Sequence, residues 1–296
     1  MLSGVTAKGD LSVPGRVVTW AGRFSVSAVS GKAQEGHEMK KGMSGIGTIL
    51  SAVLLSAIPA MADVGPESDT NDTYWDDQLA IPGTSGSVYA SAGDVSGNMY
   101  VGGKFWQAGN VKASRIAKWD GTSWSALGTG FGNGVSDYDC VNAVACDASG
   151  NVYAGGGIYV SSNSLRGRVQ KWDGNTWAVL PAVGSIIWQV DALACDASGN
   201  LYAGGEFYGG NVNRIAKWDG TSWSALGVGM NHYVYALACD ASGNLYAGGE
   251  FTTAGGMSAN YVAKWDGTTW SALGTGMNNI VRSLAVDGSG NVYAGG

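Results

Sequence analysis

One phrase is written four times in this chain. KWDGTSWSAL occupies Lys118–Leu127 and Lys217–Leu226, KWDGTTWSAL occupies Lys264–Leu273, and KWDGNTWAVL occupies Lys171–Leu180. The leading tryptophans, Trp119, Trp172, Trp218 and Trp265, are spaced by 53, 46 and 47 residues. A second phrase keeps the same beat: DVSGN at Asp94, DASGN at Asp147, Asp196 and Asp240, and DGSGN at Asp287. Each is followed by an apolar residue, a Tyr, an Ala or Val, and Gly-Gly. Catalytic groups rarely recur four times, whereas building units do. A period in the forties with a β pattern throughout predicts the blades of a β-propeller.

One repeat can be read strand by strand. Val234–Cys239 forms strand one, Asp240–Asn244 its turn, and Leu245–Phe251 strand two. A loop over 252–259 leads to strand three, Asn260–Trp265. Asp266-Gly267 predicts a two-residue hairpin turn, and Thr268–Leu273 is strand four. Composition agrees: 49 Gly, only 14% charged residues, and aromatics dominated by 12 Trp and 13 Tyr suit many short strands joined by tight turns. The expected fold class is therefore all-β, a β-propeller of four-stranded antiparallel blades. Trp119, Trp124, Trp172, Trp177, Trp218, Trp223, Trp265 and Trp270 flank the outer hairpins and are expected to be structural, packing between blades.

The N-terminal third is organised differently. From Met39 the sequence runs through Lys40-Lys41, a mostly apolar or small stretch from Gly45 to Ala57, and Ala60-Met61-Ala62. These are the basic, apolar and cleavage regions of a signal peptide, in order, and the apolar stretch is too short for a comfortable membrane span. Residues 39–62 are thus read as a signal peptide cut near Ala62, giving a secreted, periplasmic or cell-surface chain. Residues 1–38 carry no repeat phrase. Gln34-Glu35-Gly36 can be encoded by CAG GAG GGN, which contains a purine-rich ribosome-binding sequence just ahead of Met39. On this reading 1–38 is upstream DNA translated with the gene. Residues 63–86 form a mature N-terminal segment in which Asp72–Ala80, with Trp75, reads as a lone fourth strand closing the ring. The propeller spans 87–296. Blades are expected at about 87–129, 139–181, 188–229 and 233–275, and a fifth is cut short at Gly296 after its strand two.

After Ala62 the chain has 11 Lys and Arg against 20 Asp and Glu, a net charge of −9. Such a surface repels phosphate backbones, so nucleic acid is not expected as a partner. No second long apolar run follows, so the mature chain is not expected to insert in a membrane.

The double glycines Gly102-Gly103, Gly155-Gly156, Gly204-Gly205, Gly248-Gly249 and Gly295-Gly296, followed by an aromatic strand and then by Trp124, Trp177, Trp223 or Trp270, resemble the kelch repeat over about 87–296. A Trp stands where kelch repeats usually have Tyr, and the turn between the two aromatics is shorter. The resemblance implies a propeller; kelch-like propellers include both binding modules and enzymes. Asp-Gly-Thr-Ser-Trp at Asp120 also resembles a shortened sialidase Asp-box, which implies a structural turn and no chemistry.

Catalytic signals are sparse. His232 is the one His after Ala62, which excludes a multi-His metal site and leaves any Ser-His-Asp triad dependent on that residue. Each DASGN turn offers a single carboxylate, too few for a calcium loop. No metal and no cofactor is expected. Glu206 and Glu250 follow double glycines where Lys104 and Gly157 also occur, so they read either as a carboxylate pair or as duplicated surface residues. Cys146, Cys195 and Cys239 share one repeat position, expected to lie beyond disulfide reach of one another and to be buried as small apolar residues.

In a meander, turns one-to-two and three-to-four share one face of the propeller, and the remaining loops share the other. The first set is nearly constant here; the second varies in length and sequence. Variation confined to one face fits a binding surface on a fixed scaffold, and drift of unconstrained loops would produce it too. The second residue of strand one also varies between repeats: Tyr89, Asn142, Asp191, Tyr235 and Arg282. These five, expected to ring the channel mouth on the variable face, are the candidate ligand-binding residues together with His232 in the Met230–Tyr233 connection. Two function classes follow. The first is a non-enzymatic propeller binding a glycan or a protein. The second is a glycan-active hydrolase or lyase with Asp191, Glu206 or Glu250 as acid or base. A purely structural repeat array is the third possibility.

Overall fold

A computed structural model describes residues 6–13, 16–23, 83–132, 139–161, 164–184 and 186–296. Thr6–Val13 and Arg16–Arg23 pair as an antiparallel hairpin, in a compact unit of its own within Met1–Gly42. The expected signal peptide, 39–62, and the expected closing strand, Asp72–Ala80, lie outside the described residues.

From residue 83 onward the chain is a β-propeller. The first blade is Ser87–Gly93, Met99–Lys104, Ile116–Trp119 and Trp124–Ala126. The second is Cys140–Cys146, Val152–Ser161, Ser164–Trp172 and Trp177–Val179. The third is Ile186–Cys195, Leu201–Gly209, Val212–Trp218 and Trp223–Ala225. The fourth is Val234–Cys239, Leu245–Gly249, Val262–Trp265 and Trp270–Ala272. Each is a four-stranded meander in chain order. Ser283–Val286 and Val292–Gly295 pair as a two-stranded hairpin in the next repeat.

Both repeated phrases are turns locked by an aspartate. In the second blade Asp147 Oδ1 accepts from the Ser149 and Asn151 backbone N–H groups, both at 2.9 Å. Its Oδ2 accepts from Asn151 Nδ2 at 2.6 Å and from the Tyr153 hydroxyl at 3.1 Å. Asp94, Asp196, Asp240 and Asp287 repeat the pattern with their own Asn and Tyr. The Asp, the Asn and the Tyr two residues beyond the Asn therefore recur as one network, because a carboxylate withdrawn from water needs donors. The outer hairpins differ from the two-residue Asp-Gly turn expected of them. Trp265 pairs directly with Trp270, and Asp266 N–H donates to the Thr269 carbonyl at 3.2 Å. Asp266 is the anchor of the turn: its Oδ1 accepts from Thr268 and Thr269 N–H at 2.8 and 2.7 Å. Other bounds of this blade shift too: strand three is Val262–Trp265 and strand four Trp270–Ala272. Strand two of this blade ends at Gly249, and the loop after it holds a small ribbon, Thr253–Ala254 with Met257–Ser258.

The tryptophans of the outer hairpins pack in pairs. Each pair stacks across its hairpin in a tilted arrangement, with centroids 5.3 Å apart for Trp119–Trp124 and 5.4 Å apart for Trp265–Trp270. The later Trp also ties neighbouring blades together. Trp177, Trp223 and Trp270 donate Nε1–H to the carbonyls of Leu127, Pro181 and Leu226 of the preceding repeat, at 2.7, 2.8 and 2.9 Å. Only Trp218, Trp265 and Trp270 are fully buried; the others are half-buried. The repeat cysteines are free thiols and half-buried, a little more open than expected, and they pack against the core clusters between blades. Burial, with nearby Asp charges, pushes the Cys146 and Cys239 thiols up to about 12.

Candidate functional site: the channel mouth and the adjoining hollow

The double glycine builds the site. A Cβ on the first glycine would strike the next blade: 2.5 Å from Val234 Cγ1 at Gly204, and 2.5 Å from Val281 Cγ1 at Gly248. A Cβ on the second would strike the backbone of strand one: 2.0 Å from the Cys140 carbonyl oxygen at Gly156, and 2.1 Å from that of Tyr233 at Gly249. That second close approach occurs where strand one carries a bulge. Register slips by one residue between Val88 and Ala90, Val141 and Ala143, Val190 and Ala192, and Val234 and Ala236. The extra residues are Tyr89, Asn142, Asp191 and Tyr235. A bulge re-aims a side chain and is common beside functional sites. The variable position found in the sequence is thus the bulged residue of each innermost strand.

These four residues and Arg282 line one hollow together at the innermost strands. Asn142 Nδ2 donates to Asp191 Oδ1 at 3.3 Å, joining the second and third blades. Asp191 Oδ2 is buried with no hydrogen-bond partner among the described residues. Burial and the nearby Glu206 charge push the Asp191 carboxyl up to about 7. Arg282 lies over the Tyr235 ring, 5.6 Å from its centroid. The Tyr235 hydroxyl donates to Glu250 Oε2 at 3.0 Å, and burial together with that bond raises the phenol above its ordinary range. His232 Nδ1 stands 3.5 Å from the same Glu250 oxygen, and the His232 ring packs on Tyr233 at 4.3 Å.

Beside the mouth, on the same variable face, is a hollow of about 460 Å³ lined by Trp188, Glu206, Tyr208, Arg214 and Tyr233. Trp188 is 56% exposed and Tyr208 39% exposed. Arg214 lies over both the Tyr208 and Tyr233 rings, at 4.8 and 5.0 Å. Its backbone has φ of 63°, a left-handed conformation that a non-glycine residue adopts at some cost. Arg115 and Tyr261, ahead of strand three in the first and fourth blades, share it. Sequence reasoning named Glu206 as a candidate acid or base, without placing it here, and passed over Trp188, Tyr208, Arg214 and Tyr233. The available signal was two aromatics, Trp188 and Tyr208, inside loops already marked as variable. Among the described residues no group of three His, Cys, Asp or Glu side chains could hold a metal ion, and no helix is long and apolar enough to cross a membrane.

No protein-family model and no curated protein sequence matches the chain. Solved structures do. A gluconolactonase from Xanthomonas campestris is similar with a TM-score of 0.50 at 12% identity, over 71% of this chain and 69% of that one. A GH74 enzyme of Niastella koreensis is similar with a TM-score of 0.49 at 18% identity, over 72% of this chain and 33% of that one. YCF48, solved with a D1 peptide, is similar with a TM-score of 0.45 at 13% identity, over 72% of this chain and 61% of that one. At these identities the likeness is one of fold: the chain is a β-propeller protein, and its activity has to be argued from its own site.

Proposed function

We propose that this chain is a secreted, kelch-like, non-enzymatic β-propeller that binds a glycan on its variable face. The observation that carries the reading is the hollow beside the channel. Exposed Trp188 offers an apolar ring face, Tyr208 a second ring with Arg214 stacked over it, and Glu206 and Arg214 line the same hollow as acceptor and donor. Aromatic platforms flanked by a few polar groups suit a sugar, which has apolar ring faces and polar edges. The ring of Tyr89, Asn142, Asp191, Tyr235 and Arg282 extends this surface over the channel, with His232 at its margin through Glu250. The net charge of −9 after Ala62 argues against nucleic acid. A glycan array probed with the purified chain tests the reading. Retention of a defined set of saccharides, lost in Trp188→Ala, supports it; an empty array favours a structural repeat array.

A second reading, a glycan-active hydrolase or lyase, is favoured by one observation. Burial and the Glu206 charge push the Asp191 carboxyl up to about 7, and a carboxyl raised in this way near a second carboxylate is the pairing that general acid–base chemistry uses. Product analysis on the retained saccharides separates the two readings. Cleavage lost in Asp191→Asn, with binding retained, would establish the enzyme.

A further inference from the structure

Aligned on the Trp–Asp–Gly phrase, the second blade departs from the other three at one place. Six residues before the leading Trp stand Ala113, Val212 and Ala259, all buried; in the second blade that place is taken by Arg166, which is exposed. Four residues before the same Trp stand Arg115, Arg168, Arg214 and Tyr261. Arg115 lies over Trp106, and Arg214 over Tyr208 and Tyr233. The guanidiniums of Arg166 and Arg168 have no ion pair, hydrogen bond or ring contact with another described residue. The hairpin of this blade runs on unbroken through both, Ile158 pairing with Arg166 and Gly156 with Arg168. Residues two apart on a strand leave it on one side, here with their roots about 7 Å apart.

The two arginines line an open hollow of about 320 Å³ on the variable face, over Val169, Leu180, Pro181 and Val183. Its apolar side is fixed: Leu180 N–H donates to the Val169 carbonyl at 3.0 Å, and Trp223 Nε1–H to that of Pro181 at 2.8 Å. Gly184 closes one end so tightly that a Cβ there would stand 3.1 Å from the Tyr208 carbonyl oxygen, so this hollow adjoins the strand that carries Tyr208. The faces also differ in charge. Among the described residues from 83 onward, the constant turns and their flanks hold nine Asp and four Lys, whereas the variable face holds seven Lys and Arg against four Asp and Glu. An acidic chain thus presents a basic binding face. Resting on the glycan reading above, we propose that the bound glycan contains a uronic acid, its carboxylate held by Arg166 and Arg168 while its ring lies against Leu180 and Pro181. A guanidinium fork matches a carboxylate in charge and geometry, and the apolar side suits a sugar ring face.

The test is calorimetry of the purified chain at pH 7 and about 50 mM salt, where surface charge is little screened. The probes are hexamers of galacturonate, glucuronate and mannuronate, each paired with its neutral methyl ester. At least one acid hexamer is expected to bind at least about tenfold more tightly than its ester, the scale of one charge-assisted hydrogen bond. Arg166→Ala installs the residue that the first and fourth blades carry there, and should abolish most of that preference while the ester binds as before. Arg168→Gln should do the same and serves as the second variant. Trp188→Ala, on the neighbouring hollow, should weaken acid and ester alike. Binding of the esters as tightly as the acids, or a preference unchanged in both arginine variants, overturns the uronate assignment and leaves the glycan reading standing. Binding of none of the six, with an empty glycan array, overturns both. A single-stranded DNA oligomer that binds as tightly as the acid hexamer overturns the assignment to a sugar.

Discussion

Asn142 and Asp191 are 49 residues apart in sequence and in different blades, yet their side chains meet at 3.3 Å across the channel mouth. Each is the extra residue of a bulge on an innermost strand. The geometry that joins them is set by the glycines opposite, and burial beside Glu206 holds the Asp191 carboxyl above its ordinary range against hydrogen bonds from Gln189 and Asn142 that lower it.

The buried carboxyl makes stability depend on pH with a definite sign. Burial and Glu206 hold Asp191 at about 7 in the folded chain, against an ordinary value of 3.8. The folded state therefore retains a proton that the unfolded chain releases. Stability from this group is fully present below the ordinary value and is lost as pH rises toward and through 7, by about 1.4 kcal/mol per pH unit at the steepest. Asp191→Asn removes the dependence. In urea unfolding the variant should gain on the parent between pH 4 and 7 and hold a constant lead above pH 8. A lead that does not change with pH contradicts the assignment.

The repeated Asp–Asn–Tyr network predicts a cost in each blade. Tyr246→Phe removes the donor to Asp240 Oδ2 and should destabilise by about 1–2 kcal/mol. Asp240→Ala orphans two backbone N–H groups, the Asn244 amide and the Tyr246 hydroxyl, and should cost at least about 2 kcal/mol. Equal effects of the two substitutions on the urea midpoint would show that the aspartate does not organise the turn.

The inter-blade tryptophan bond can be measured against an internal control. Trp270 Nε1 donates to the Leu226 carbonyl, while the equivalent Trp124 Nε1 is buried with no partner among the described residues. Trp270→Phe removes the inter-blade bond and leaves the Leu226 carbonyl only its bond from Gly229 N–H, so it should cost about 1 kcal/mol more than Trp124→Phe, beyond the difference in buried ring area between the two sites. Equal costs from thermal or urea unfolding would contradict the inter-blade role.

The thiols should be unreactive in the folded chain. Burial raises Cys146 and Cys239 to about 12, and Cys195 higher still, so little thiolate is present at neutral pH. Labelling at pH 8 should be slow for all three and complete on denaturation. Rapid native labelling of Cys239 would place that thiol outside the blade interface.

How much of this was legible in the sequence follows from what each feature depends on. The blades were readable because the period, the double glycines and the Trp–Asp–Gly phrase are local and repeated. The ring of Tyr89, Asn142, Asp191, Tyr235 and Arg282 was readable as a variable column inside a constant frame. Its cause was not, because the bulge arises where Gly156 or Gly249 lets the strand-one backbone approach, a relation between strands. The Asp-Gly turn was misplaced because Asp266 serves as a side-chain anchor while Gly267 alone takes positive φ. The hollow was missed because Trp188, Tyr208 and Arg214 stand on strand ends of the third blade that read as loops in the sequence, and Tyr233 comes from the connection into the fourth, all without a repeat signature.

The central claim is that the variable face, and not the constant one, binds the glycan. The most direct measurement is array retention compared across three single variants. Trp188→Ala and Tyr208→Ala lie on the hollow, and Val95→Ser lies in a constant-face turn where Val95 is 80% exposed. The account predicts that the two hollow variants lose retention at least about tenfold, as expected for a stacked aromatic, while Val95→Ser binds like the parent chain. Retention undiminished in both hollow variants, or lost in Val95→Ser with folding intact, would contradict it.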